Sequence, residues 1–133
     1  MPKRPFHRKT PNIPIQHLHI RSKFPSFQLM KRAKGSYWVG YLQPTAKSPK
    51  YKIKIIYHPY HPEVFVLEPT PLRSAPHRYP DGSLCLYYPK DKDYDAKSLI
   101  ADKIIPWTSE WLFFYEAWLE QGIWWGKEAP HHP

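Results

Sequence analysis

Apolar and polar positions alternate most clearly over residues 51–57. Tyr51, Ile53, Ile55 and Tyr57 fall on one face and Lys52 and Lys54 on the other. Period-two alternation marks a half-buried strand. Ile56 breaks the pattern, which predicts burial on both faces at that end. Three more strands are predicted over residues 27–31, 37–43 and 64–67, the last closed by Pro69 and Pro71. Gly35-Ser36, the stretch 44–49 and the proline-rich stretch 58–62 separate them. Such short connections make an antiparallel meander.

Helical signals flank the strands. Asn12 is placed to cap a short helix with Pro14 in its first turn, with Ile15 and Leu18 on a shared face and an end before Pro25. Residues 72–78 have no period, Asp81-Gly82 is a turn signal, and residues 83–88 read as a short extended piece. A short helix is expected over 96–104, capped by Asp95 and ended by Pro106. A firmer one is expected over 109–121, with Thr108 as cap and Gly122 at its exit. Its stripe of Trp111, Leu112, Tyr115, Trp118 and Leu119 reads as core. The aromatic end Ile123-Trp124-Trp125-Gly126, followed by residues 129–133, is expected to pack on the body. The order of helix, four strands, irregular segment and helices predicts an α+β fold, its sheet covered on one face.

Composition then narrows the setting. A chain of 133 residues is expected to form one domain, here residues 12–133 behind a basic, proline-rich arm at 1–11. The single cysteine excludes an internal disulfide and points to a reducing, cytoplasmic compartment. No apolar run is long enough for a membrane span, and the basic start does not resemble a signal peptide. Residues 1–62 carry 13 Lys or Arg and no Asp or Glu; the rest carries 7 basic and 11 acidic residues. That field favours an anionic partner, either nucleic acid or an acidic protein face. No nucleic-acid motif accompanies it, so nucleic-acid binding is a rival reading and not the expected one.

Candidate chemistry gathers around Cys85. Between Leu84 and Leu86 it has an ordinary reading as a small buried hydrophobe. However, it follows the tight turn Tyr79-Pro80-Asp81-Gly82, and His77, Arg78, Asp81 and Ser83 stand close by in sequence. Arg78 or the turn amides could support a thiolate there. His77 reads as a base, an oxyanion donor or a structural turn residue. The histidines lack ligand partners at metal spacing, and glycine-rich phosphate loops and serine elbows are absent, so no metal and no cofactor are expected.

The order of elements and several local strings resemble the ubiquitin-conjugating enzyme family. Tyr37-Trp38-Val39-Gly40-Tyr41-Leu42-Gln43-Pro44 resembles its second strand. Tyr60-His61-Pro62-Glu63-Val64 resembles its turn into the fourth, and Gly82-Ser83-Leu84-Cys85-Leu86 its active-site string. Trp107 and the following residues resemble its post-cysteine region. The likeness covers about residues 12–121. One departure stands out: where the family carries asparagine, eight positions before the cysteine, this chain has His77. The ending Trp124-Trp125-Gly126 is similar to the bacterial branch that accompanies cyclic-oligonucleotide (CBASS) anti-phage defence operons.

The resemblance implies a UBC-like fold and a transferase in which Cys85 holds a carrier's C-terminus as a thioester and passes it to an amine. The implied carrier is ubiquitin-like or a cGAS-like nucleotidyltransferase, with or without an activating enzyme. His77 is the implied oxyanion donor, with Arg78, Asp81, Ser83, Asp93 and His131 as supporting candidates. The alternative is a catalytically silent, UBC-like protein-binding module.

Overall fold

The structure is a computed structural model and describes residues 11–126. The first helix, α1 (Ile13–Lys23), starts where Asn12 Oδ1 accepts the Ile15 amide at 3.1 Å, with Pro14 in its first turn. The face shared by Ile15 and Leu18 is not the buried one. Ile15 and Leu18 are exposed at 44% and 69%, while Gln16 and Ile20 are buried. The reason is a polar anchor. Gln16 Nε2 donates to the Ser98 carbonyl at 3.1 Å and its Oε1 accepts the Ile100 amide at 2.9 Å. His17 Nδ1 accepts from the Trp38 indole at 3.1 Å. Satisfied polar contacts therefore choose which stripe of α1 faces the body.

Four strands follow: β1 (Gln28–Met30), β2 (Tyr37–Leu42), β3 (Tyr51–Ile56) and β4 (Glu63–Glu68). They form one antiparallel sheet in the order β1-β2-β3-β4, the expected meander. Trp38, Ile53, Ile55 and Val64 are fully buried on its inner side. Lys52 and Lys54 lie on the other face, Lys54 Nζ resting 4.4 Å from the Tyr37 ring centre. Gly40 is required by packing: a Cβ there would stand 2.2 Å from the Phe27 ring.

After β4 the chain turns through a short hairpin, a 3₁₀ turn (Pro89–Asp91) and a series of turns to α2 (Ile104–Gln121). Two helical expectations are corrected here. Residues 96–103 form turns, with Asp95 Oδ1 accepting the Lys97 amide at 2.8 Å. Pro106 does not end a helix but sits in the first turn of α2, where its missing N–H costs nothing. A single 18-residue helix thus replaces the two C-terminal helices. Thr108 lies inside it, its buried hydroxyl donating to the Ile104 carbonyl at 2.7 Å, and is no cap. Gly122 closes the helix at φ 73° as expected. Ile100, Ile104, Ile105 and Leu112 are fully buried and complete the core. The fold is α+β, with a four-stranded antiparallel sheet and two helices. No described helix is long and apolar enough to cross a membrane. The arm at 1–11, apart from Pro11, and residues 127–133 lie outside the described residues.

Candidate active site

The site is built by a hairpin of residues 77–85. Arg78 pairs with Leu84 across it. The Tyr79 amide donates to the Ser83 carbonyl and the Cys85 amide to the His77 carbonyl, both at 2.9 Å. The turn closes where the Gly82 amide donates to the Tyr79 carbonyl, with Gly82 at φ 91°. Side chains alternate along such a hairpin, so Tyr79, Ser83 and Cys85 share one side and Arg78 and Leu84 the other. Leu84 is buried, and its amide donates to the Val64 carbonyl at the edge of β4. That bond fixes the hairpin to the sheet.

Cys85 is half-buried, and His77 and Cys85 meet in one cavity of about 370 Å³. His77 occupies the left-handed region at φ 59°, which a side chain with a Cβ adopts at a cost. Among the described residues, three contacts hold it there. Its carbonyl accepts both the Cys85 amide and the Trp111 indole N–H, the latter at 3.1 Å. Its ring lies 4.9 Å from that of Trp124. Trp124 in turn packs on Trp111 at 5.5 Å and Phe114 at 6.1 Å, so the chain after Gly122 folds back over the site. Trp125 is 61% exposed, its indole donating to Gln121 Oε1.

Burial pushes the Cys85 thiol up, and a hydrogen bond with Tyr79 acts in the opposite direction. The thiolate therefore has less help than the sequence suggested. Arg78 Nη2 donates to the Leu72 carbonyl at 2.8 Å. The turn amides are also committed: Ser83 N–H donates to Asp81 Oδ1 at 2.9 Å, and those of Gly82, Leu84 and Cys85 to carbonyls. Asp81 and Ser83 form a clasp on the turn, Ser83 Oγ donating to Asp81 Oδ1 at 2.6 Å. These bonds hold the Asp81 carboxyl below its usual range. Of the supporting candidates, Asp93 lines the cavity with Cys85, while Asp81 and Ser83 line a second, neighbouring cavity of about 520 Å³. His131 lies outside the described residues.

Residues that sequence reasoning passed over complete the site. The Cys85 thiol donates to the Tyr87 carbonyl at 3.9 Å, and hydrogen bonding between the Tyr79 hydroxyl and the thiol follows burial in pushing the Tyr79 phenol up. The Tyr79 ring packs edge-on against His61 at 6.0 Å. His61 Nδ1 pairs with the Tyr87 hydroxyl at 2.7 Å. Burial first, and Cys85 second, push the Tyr87 phenol up to about 12. Hairpin alternation around Tyr79-Pro80-Asp81-Gly82 was the available signal for Tyr79, since it places residues 79 and 85 diagonally on one side. Asp91, Glu110 and Trp107 join the cavity from the 3₁₀ turn and from α2. Among the described residues, no group of three or more His, Cys, Asp or Glu could hold a metal ion.

The family model described as type II CBASS E2 protein matches residues 16–133, which takes in the whole sheet, the hairpin with Cys85 and α2. The chain belongs to the type II CBASS E2 protein family. It is an E2-like protein of CBASS defence. No curated protein matches the sequence. Within a CBASS E2 protein, the hairpin, its thiol and the cavity beside them are the features to which a conjugating role can be attached.

Proposed function

We propose that the protein is a cysteine-dependent acyl transferase of UBC-like fold, with Cys85 as the acyl carrier and His77 at its side. The carrier's C-terminal carboxyl, already activated as a thioester or a mixed anhydride, is attacked by the Cys85 sulfur. The new C–S bond forms as the bond to the activating group breaks, and the thiol proton leaves with that group. An amine nitrogen then attacks the thioester carbonyl. The C–N bond forms, the C–S bond breaks, and the sulfur takes one proton from the amine. Each step passes through an oxyanion, which a donor at His77 would stabilise. The carrier is a protein with a reactive C-terminus within the CBASS machinery, such as a cGAS-like nucleotidyltransferase.

The observation that carries this reading is the half-buried Cys85 opening into a cavity of about 370 Å³. A cysteine serving only as a small buried hydrophobe needs no cavity beside it. Tyr79 supports the reading as well, since a hydroxyl bonded to the sulfur favours its charged form. The test is intact-mass measurement of the chain co-expressed with the proteins encoded beside it. A mass increase that thiols remove, and that Cys85→Ala abolishes, is the expected result. A chain that never carries a thiol-labile adduct is a binding module instead.

A further inference from the structure

The outer side of the sheet carries a chemistry that the Cys85 hairpin does not use. Residues 1–62 hold 13 Lys or Arg and no Asp or Glu, and β1, β2 and β3 all come from that stretch. Alternation buries Trp38, Ile53 and Ile55 and turns Tyr37, Tyr41, Lys52 and Lys54 outward. The register sets these in rows: Tyr41 faces Lys52, Val39 faces Lys54, and Lys54 faces Phe65 on β4. Lys54 Nζ lies 4.4 Å and Arg32 Cζ 5.8 Å from the Tyr37 ring centre. Tyr41 is 49% exposed, and the turns at the two ends of the strands add the exposed Lys31, Lys34, Lys47 and Lys50. The acids stand at the β4 border, Glu63 opposite Ile56 and Glu68 opposite Lys52. Among the described residues the single ion pair joins Lys23 to Asp102, so neither Lys52 nor Lys54 is held by a carboxylate there. Lysines alone suit any polyanion. Rings interleaved with lysines on an open sheet suit one with unpaired bases, which stack on the rings while the lysines meet phosphates. Lys52 and Lys54 stand about 7 Å apart along β3, and Tyr37 and Tyr41 about 13 Å apart along β2, so one extended strand can meet all four. An acidic peptide gains no stacking from the rings, and a duplex keeps its base faces covered.

We propose that the outer face of β1, β2 and β3 docks single-stranded nucleic acid. Lys52 and Lys54 neutralise neighbouring phosphates, Tyr41 stacks a base, and the lysines of the flanking turns continue the track at both ends. Charge and base faces are what this surface reads, so binding is tolerant of sequence and sensitive to salt. The proposal does not rest on the acyl-carrier role of Cys85.

The test is fluorescence anisotropy of labelled oligothymidylate with the full chain over a range of salt concentrations. Saturable binding that weakens with salt is expected. Lys52→Gln together with Lys54→Gln should make the log–log salt slope shallower by about 1.4, since two phosphate contacts are lost. Tyr41→Ala should weaken binding about tenfold and leave the slope unchanged, because a stacked base and not a charge is removed. Lys90→Gln together with Lys97→Gln changes the net charge equally at exposed positions off the sheet and should leave affinity and slope unchanged. Melting temperatures check that each variant folds, and the single Lys52→Gln and Lys54→Gln chains, each expected to change the slope by about 0.7, replace the pair if it does not. An oligouridylate arm separates RNA from DNA, tighter binding of either identifying the source. No saturable binding at low salt overturns the proposal. So does a loss from the Lys90 and Lys97 pair as large as that from the sheet pair, or an unchanged affinity in Tyr41→Ala. Polyglutamate or duplex DNA bound as tightly as the single strand overturns it too, the first marking the face as a site for acidic protein. No thioester enters these measurements, so they fail separately from the acyl-carrier reading.

Discussion

Replacing Tyr79 with Phe removes one hydroxyl and leaves the ring against His61 in place. That hydroxyl is the group that lowers the Cys85 thiol against the upward push of burial. A hydrogen bond to a charged group contributes about 1.5–3 kcal/mol. Cys85 is half-buried, so the lower end applies. A loss of about 1.4 kcal/mol is a factor of ten in the thiolate fraction wherever the thiol is mostly protonated. The sign follows directly: without the phenol the charged form is less favoured, so the thiol moves further up. Alkylation by iodoacetamide, which reacts with the thiolate, reports this across pH. Tyr79→Phe is expected to alkylate about tenfold more slowly near neutral pH and to reach the wild-type rate at high pH. The midpoint of the profile moves to higher pH. An unchanged profile, or one moved to lower pH, refutes the assignment. A uniform drop at every pH would mean altered access and would refute it too.

Three other outcomes follow from the same geometry. His77→Gly relieves the left-handed backbone at φ 59° but deletes the imidazole beside Cys85; its unfolding free energy should match or exceed wild type by up to about 1 kcal/mol, while amine-driven discharge falls. Equal loss of both would make His77 only structural. Gly40→Ala forces a Cβ into the Phe27 ring and should cost about 1–3 kcal/mol, read as a lower urea midpoint at unchanged slope. Burial above all lowers His61, so the folded chain resists its protonation. Its contribution to stability is present above the unfolded-state value and is lost as pH falls through the lowered folded one. The melting temperature should therefore fall on acidification, and His61→Gln should reduce that fall.

The meander was legible because alternation over 51–57 is local, and side-chain parity alone assigns its faces. The α1 face was not. Ile15 and Leu18 look like the core stripe, and only the distant Ser98 and Ile100 backbone makes Gln16 the buried residue. The start of α2 was obscured by Pro106, which terminates a helix in its interior and suits one in its first turn. At the site, the position of Cys85 after a turn was visible in the sequence, and its likeness to the conjugating-enzyme string drew attention to His77. What held His77 in place was not visible, because Trp111 and Trp124 reach it from α2 and beyond. Arg78 looked like support for a thiolate by proximity along the chain, yet hairpin alternation turns it to the other side, toward the Leu72 carbonyl. Tyr79 reaches the sulfur by the same alternation.

The acyl-carrier role of Cys85 is tested most directly by Cys85→Ser. A serine in that place would hold the carrier as an oxygen ester, which thiols do not cleave and hydroxide does. Intact-mass and peptide mapping of the co-expressed variant should find a thiol-resistant, base-labile adduct at residue 85, where the wild-type chain carries a thiol-labile one. An unmodified residue 85 in both chains, with the carrier present and its carboxyl activated, would contradict the account.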